Sequence, residues 1–290
     1  PGRRIIPCMR WCRLLLRSLS LLSLLGAVSA GAGERPVVVA TVAPLGYLVE
    51  QLAGERVELR TALPPGVEIE TFAPSPQQIR TLADARLIVG IGHPDFALET
   101  AYLRPFADRR GAIVWLDLAT VAPATGREED PHLWVSPRAM RRFVTPLAEA
   151  LGRLVPAAAG EIGARAATLG EEIDALDREL TARFADRQGQ SFLIQHPALG
   201  HFAHDYGLRQ EALEHEGKEA SAGRLATLAV HAKRAGVRAI LVQPGGHQKA
   251  AEALARQVGA RLIEIDPLAA DWPAALRRIA AALDEALYVG

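Results

Sequence analysis

Cysteine is almost absent from these 290 residues: Cys8 and Cys12 are the only two, and both fall within the first thirty. The rest of the chain therefore forms no disulfide and offers no thiolate, so a metal site there must use nitrogen and oxygen donors. A basic excess is missing as well, with 33 Lys and Arg against 33 Asp and Glu. Arg3, Arg4, Arg10, Arg13 and Arg17 lie within residues 1–30 and no acid does, so the remainder is mildly acidic. That excludes a nucleic-acid partner from the expectations, because neutralising phosphate requires a basic face. Gly-x-Ser-x-Gly, His-Glu-x-x-His and phosphate-loop motifs are lacking, which counts against an enzyme. Short-period repeats and low-complexity tracts are lacking too.

The N-terminus holds an export pattern. Met9, Arg10, Arg13 and Arg17 precede the mostly apolar run Leu19 to Val28, which closes on Val28-Ser29-Ala30. A positive region, a short apolar region and a small-residue cleavage site make a secretory signal peptide, cut after Ala30. About ten apolar residues fall short of the roughly twenty that a membrane span needs. The start is expected at Met9, with residues before it coming from upstream sequence. No cysteine stands at the cleavage site, so a lipid anchor is not expected and the protein is placed in the periplasm.

With 49% hydrophobic and 23% charged residues, the chain is long enough for two globular lobes. From Arg35 onward, short β-branched runs alternate with helical patterns, which predicts an α/β fold with mainly parallel sheets. Strands are expected at Val37 to Thr41, Val57 to Thr61, Leu87 to Gly90, Ile113 to Leu116, Phe192 to Gln195, Ala239 to Gln243 and Leu262 to Ile265. Helices are expected at Leu45 to Leu52, Pro76 to Ala83, Pro137 to Leu151, Gly200 to Tyr206, Ala222 to Arg234, Lys249 to Val258 and Trp272 to Leu287. Between the halves, Ile162, Leu169, Ile173, Leu176 and Leu180 mark a long helix from Ala157 to Arg187. Some thirty helical residues would span about 45 Å, enough to join two lobes. The expected division is a signal peptide at 1–30, an N-terminal lobe at 31–150, a linking helix at 151–189 and a C-terminal lobe at 190–290.

Four polar residues stand out. His132 follows Pro131, with Trp134 and Pro137 close behind, so its direction is constrained. His196 directly follows one strand, and Asp266 follows another and precedes Pro267. Glu70 lies past the turn Pro64-Pro65-Gly66. Ligands in α/β sheets bind at the carboxyl ends of strands, so these two histidines and two carboxylates are the expected metal ligands, two from each half. Each also has a plainer reading: Asp266 as a turn cap, Glu70 as a solvated charge. His201 and His204, three apart on one helix, and His247, in a glycine loop, are alternatives to Glu70. His93, His215 and His231 are expected to be surface or structural.

Over nearly the whole length beyond residue 30 the sequence resembles the metal-binding substrate-binding proteins of zinc and manganese ABC transporters, two lobes joined by a rigid helix. The resemblance rests on Ala43-Pro44-Leu45-Gly46, on Pro64-Pro65-Gly66 through Thr71-Phe72-Ala73-Pro74-Ser75-Pro76, and on Asp130-Pro131-His132-Leu133-Trp134. It continues in His196-Pro197-Ala198-Leu199-Gly200, Ala239-Ile240 with Gln243-Pro244, and Asp266-Pro267-Leu268. It puts His132, His196 and Asp266 on ligand positions. Glu70 departs from it, standing where the family usually has histidine before Thr-Phe. The long histidine-rich loop of many zinc-specific members is missing between Val121 and Asp130.

The resemblance implies a monomeric, non-catalytic carrier that takes one divalent transition ion between its lobes and delivers it to an ABC permease. Two imidazoles favour Zn2+, while two carboxylates leave Mn2+ possible. Ligation requires neutral imidazole, so affinity should fall as pH drops through the histidine range. Two other readings use the same residues: a secreted metal-dependent hydrolase with Glu70 as general base, and a binding protein for an organic solute such as a siderophore.

Overall fold

Two runs of consecutive apolar residues, Val37–Ala40 and Ala239–Val242, are buried along their whole length. This is the pattern of central parallel strands covered on both faces. The computed structural model describes residues 2, 34–67, 69, 72–122, 129–214, 221–245 and 248–289. The expected signal peptide therefore lies outside the described residues, apart from residue 2, as do Glu70, His215 and His247.

The N-terminal half contains β1 (Val37–Ala40), α1 (Ala43–Ala53), β2 (Glu58–Thr61), α2 (Pro76–Thr81), β3 (Ala85–Gly90), α3 (Arg104–Arg110), β4 (Val114–Asp117) and α4 (Leu118–Val121). Its four strands pair in parallel in the order β2-β1-β3-β4. Then come α5 (Pro137–Leu154) and the long α6 (Ala159–Arg183). The C-terminal half repeats the plan with β5 (Ser191–Ile194), α7 (Gly200–Asp205), β6 (Arg209–Ala212), α8 (Ala222–Arg234), β7 (Ala239–Val242), α9 (Lys249–Val258), β8 (Arg261–Glu264) and α10 (Trp272–Ala286). Its sheet order is β6-β5-β7-β8, again parallel. Both sheets lie in one compact unit that begins at Arg35.

The expected α/β architecture, two lobes joined by a long helix, is the one observed. Among its details, α6 is shorter than the sequence pattern implied. It covers 25 residues rather than some thirty, about 37 Å at 1.5 Å each. A separate 3₁₀ turn, Pro156–Ala158, precedes it, because Pro156 starts that turn and the chain does not settle into α-helix until Ala159. At the other end Phe184 leaves helical geometry and is fully buried against Phe202 and Tyr206. The link still does its work: α6 packs on α1 and α5 from one half and on α10 from the other. Arg183 also pairs with Asp284 of α10 at 2.6 Å. One apolar core runs from β1 and β3 through α5 and α6 to β5 and α10, and a smaller one fills the space between β7, α8 and α9. Among the described residues, no helix is long and apolar enough to cross a membrane.

Several elements were not expected from the sequence, among them the short helices α3 and α4. β6 reads Arg-Gln-Glu-Ala, with no apolar alternation, and exists because it pairs with buried β5. The segment Leu98–Leu103 forms a π-helical turn running into α3, with Pro105 in the first turn of α3 rather than breaking a helix.

Candidate metal site

Both sheets direct the carboxyl ends of their strands into one cavity of about 390 Å³. Thr61 ends β2, Gln195 and His196 follow β5, Gln243 follows β7, and Asp266 comes two residues after β8; all line it. The turn Pro64-Pro65-Gly66 and Ile69 form another wall. Gly66 and Gly245 bring the two halves together there. A Cβ on Gly245 would lie 2.5 Å from the Gly66 carbonyl oxygen, and Gly245 has φ +80, so glycine meets both the steric and the backbone demand.

His132 reaches this cavity from a short 3₁₀ turn, Leu133–Val135, that it initiates. Asp130 fixes it: the carboxylate Oδ1 accepts the His132 backbone N–H at 3.0 Å and faces the ring Nδ1 at 2.8 Å. From α7, His201 Nε2 donates to the Asp130 backbone carbonyl at 2.8 Å. Burial alone would raise the Asp130 carboxyl. The hydrogen bond and charge of His132, with the charge of His201, outweigh burial and hold it below the usual carboxylate range.

Residues 132–136 are bound to the C-terminal half by further hydrogen bonds. Trp134 Nε1 donates to the Pro267 carbonyl at 2.9 Å, and Trp272 Nε1 donates to the Trp134 carbonyl at 2.8 Å. Ser136 Oγ, which caps α5 by accepting Ala139 N–H, donates to Asp205 Oδ2 at 2.5 Å. The turn carrying His132 is thus tied to α7 and to the Asp266-Pro267 segment.

His196 comes from the other half. Its Nδ1 faces Glu214 Oε2 at 3.1 Å, and its Nε2 lies 3.3 Å from His132 Nε2. The two rings meet edge to face with centroids 5.2 Å apart. A carboxylate faces each Nδ1, the arrangement that favours the Nδ1–H tautomer, and the two Nε2 atoms meet in the cavity, where one ion could take both.

Of the four expected ligands, His132, His196 and Asp266 line the one cavity. Asp266 Oδ1 also accepts Leu268 N–H at 2.9 Å, so it caps the turn as its plainer reading held. Glu70 lies outside the described residues; its sequence neighbour Ile69 lines the cavity. Among the described residues, no three His, Cys, Asp or Glu side chains converge to hold a metal ion. The alternatives separate: His201 is buried and engaged with Asp130, His204 is 61% exposed with Nδ1 3.8 Å from Asp205, and His247 lies outside the described residues. His93 is buried and its Nδ1 accepts the Asp95 N–H, a structural role. Sequence reasoning assigned no role to Asp130 or Glu214. Asp130 could have been found from its place two residues before His132, the spacing of an Asp turn cap. Glu214 could not, because its position depends on the unexpected strand β6.

Residues 38–286 match the family model described as zinc-uptake complex component A, periplasmic (ZnuA). The chain is 28% identical over 260 residues to the zinc-binding protein AdcA of Streptococcus pyogenes serotype M3, covering 80% of this chain and 50% of that protein. It thus spans about half the length of that relative. It is 29% identical over 237 residues to the high-affinity zinc uptake system protein ZnuA of Paracoccus denitrificans, covering 66% of this chain and 70% of the relative. A solved ZnuA crystal structure superposes with a TM-score of 0.81 at 29% identity, covering 87% of this chain and 99% of that one.

Proposed function

The chain belongs to the periplasmic zinc-uptake component A family, and from that premise we propose that it is a non-catalytic carrier which captures one Zn2+ between its lobes and hands it to an ABC permease. One distance carries the site: 3.3 Å between His132 Nε2 and His196 Nε2, close enough for both to bind one ion. Zinc binds imidazole nitrogen at about 2.0–2.1 Å, so two nitrogens on a tetrahedral ion lie about 3.3–3.4 Å apart. The preference for zinc comes from the two imidazole donors and the family match.

Asp266, on the same cavity wall, supplies the third ligand and Glu70 the fourth, the residue that replaces the family's usual histidine. A shell closed by four protein ligands leaves no place for an activated water, which supports a carrier over a hydrolase. In this reading the chain is exported by residues 1–30 and works in the periplasm as a monomer without a lipid anchor or a nucleic-acid partner. Its lobes are residues 31–150 and 190–290, linked through 151–189.

Competition titration of residues 31–290 tests the proposal. One tightly held zinc per chain is expected. His132→Ala and His196→Ala should each weaken it by more than the roughly 10–100-fold typical of an outer-shell change. Glu70→Ala should weaken it less. Failure of the unaltered protein to hold zinc would overturn the proposal.

A further inference from the structure

β5 and β6 run in parallel register, with Ser191 opposite Arg209 and Ile194 opposite Ala212. The ladder continues past the last paired residues: Leu213 N–H donates to the Ile194 carbonyl and Glu214 N–H to the Gln195 carbonyl, each at 2.9 Å. Two residues beyond Ile194 stands His196, and two residues beyond Ala212 stands Glu214. These two backbone bonds, just past the strand ends, set Glu214 beside His196.

The Glu214 carboxylate is held at both oxygens. Oε1 accepts from Gln195 Nε2 at 3.0 Å, and Oε2 faces His196 Nδ1 at 3.1 Å. The Glu214 side chain is only 13% exposed, so water competes little for these contacts. Gln195 is buried and orients the carboxylate, which in turn orients the ring. Histidine has two ring nitrogens, and the one that binds a metal is selected by what the other donates to. Glu214 at Nδ1 leaves Nε2, the nitrogen 3.3 Å from His132 Nε2, to face the cavity.

We infer that Glu214 is a positioning residue for zinc capture: it touches no ion, and acts by holding His196 as the Nδ1–H tautomer with Nε2 presented to the metal. This rests on the carrier reading above. Asp130 performs the matching task for His132, but its Oδ1 also takes the His132 backbone N–H, so removing that carboxylate would disturb the turn as well.

Glu214→Gln preserves shape while removing the charged acceptor, and its amide NH2 favours the opposite tautomer by donating to Nδ1. Zinc affinity, measured by competition on the exported chain, should fall about 10–100-fold, the range typical of a lost outer-shell partner. Nitrogen-15 NMR of the His196 ring in the metal-free protein should show one Nδ1–H form in the unaltered chain and a changed tautomer balance in Glu214→Gln. A merely structural residue would not move that signal. Glu214→Asp keeps the charge on a shorter arm and should retain the Nδ1–H form with intermediate affinity, which keeps the inference testable if Glu214→Gln folds poorly. Unchanged affinity and an unchanged tautomer in Glu214→Gln, beside tight zinc in the unaltered chain, would overturn this inference alone. No tight zinc in the unaltered chain would overturn the carrier reading, and this inference with it.

Discussion

Replacing Trp134 by Phe tests how firmly the His132 turn is bound to the other half of the molecule. Trp134 is 1% exposed, its Nε1–H donates to the Pro267 carbonyl at 2.9 Å, and its ring lies 5.1 Å from that of His132. Phe retains most of the apolar contact but deletes the donor, and Pro267 is itself buried. Leaving a buried carbonyl unpaired costs about 1–3 kcal/mol. The space left by the smaller ring adds about 1 kcal/mol, since incomplete collapse is penalised by roughly 24 cal/mol per Å³. At about 2–4 °C per kcal/mol for a protein of this size, the combined loss of roughly 2–4 kcal/mol lowers the melting temperature by about 5–15 °C. Differential scanning calorimetry on the metal-free protein reads this directly. Trp272→Phe deletes the donor to the Trp134 carbonyl, so the two substitutions act on one chain of hydrogen bonds and should combine non-additively. A Trp134→Phe melting temperature within about 2 °C of the unaltered protein, less than 1 kcal/mol by the same scale, would refute the reasoning.

Three other outcomes follow from the geometry. Glu99 is fully buried with its oxygens on the Ile91 and Gly92 N–H groups; burial lifts its carboxyl above the ordinary range, and the Asp117 charge adds to the lift. Because the folded value lies above the unfolded one, this residue's contribution to stability is complete below the ordinary carboxylate range and is lost as pH rises through the raised value. Urea unfolding should therefore show Glu99→Gln gaining on the unaltered protein with rising pH, and a pH-independent difference would contradict it. Gly245→Ala forces a side chain onto a backbone at φ +80 and into the Gly66 carbonyl, so stability should fall by about 1–3 kcal/mol, measured by urea unfolding. Zinc at about a thousandfold above its dissociation constant adds about 4 kcal/mol of stability, so the melting temperature should rise by roughly 8–16 °C and return on chelation.

Much of the fold was legible because its central strands are apolar runs and its helices carry a clean 3.6-residue period. Ala222–Arg234 and Lys249–Val258 were expected at their observed bounds, whereas edge strand β6 was invisible, being polar and defined by its neighbour. The shared cavity for His132, His196 and Asp266 was legible because each follows a strand or a proline that aims it. The carboxylates behind the imidazoles were not. Asp130 looked like part of a turn, and Glu214 acquires meaning only once β6 is in register with β5. The split between His201 and His204 was likewise hidden, since three-residue spacing puts both near one face without saying which meets the Asp130 carbonyl.

X-ray absorption at the zinc edge of the loaded protein examines the ion's surroundings without any substitution. A shell of nitrogen and oxygen alone, with two imidazoles at about 2.0–2.1 Å in fourfold coordination, is the expected result. A shell with fewer than two imidazoles, or six-coordinate zinc, would mean that His132 and His196 do not share the ion.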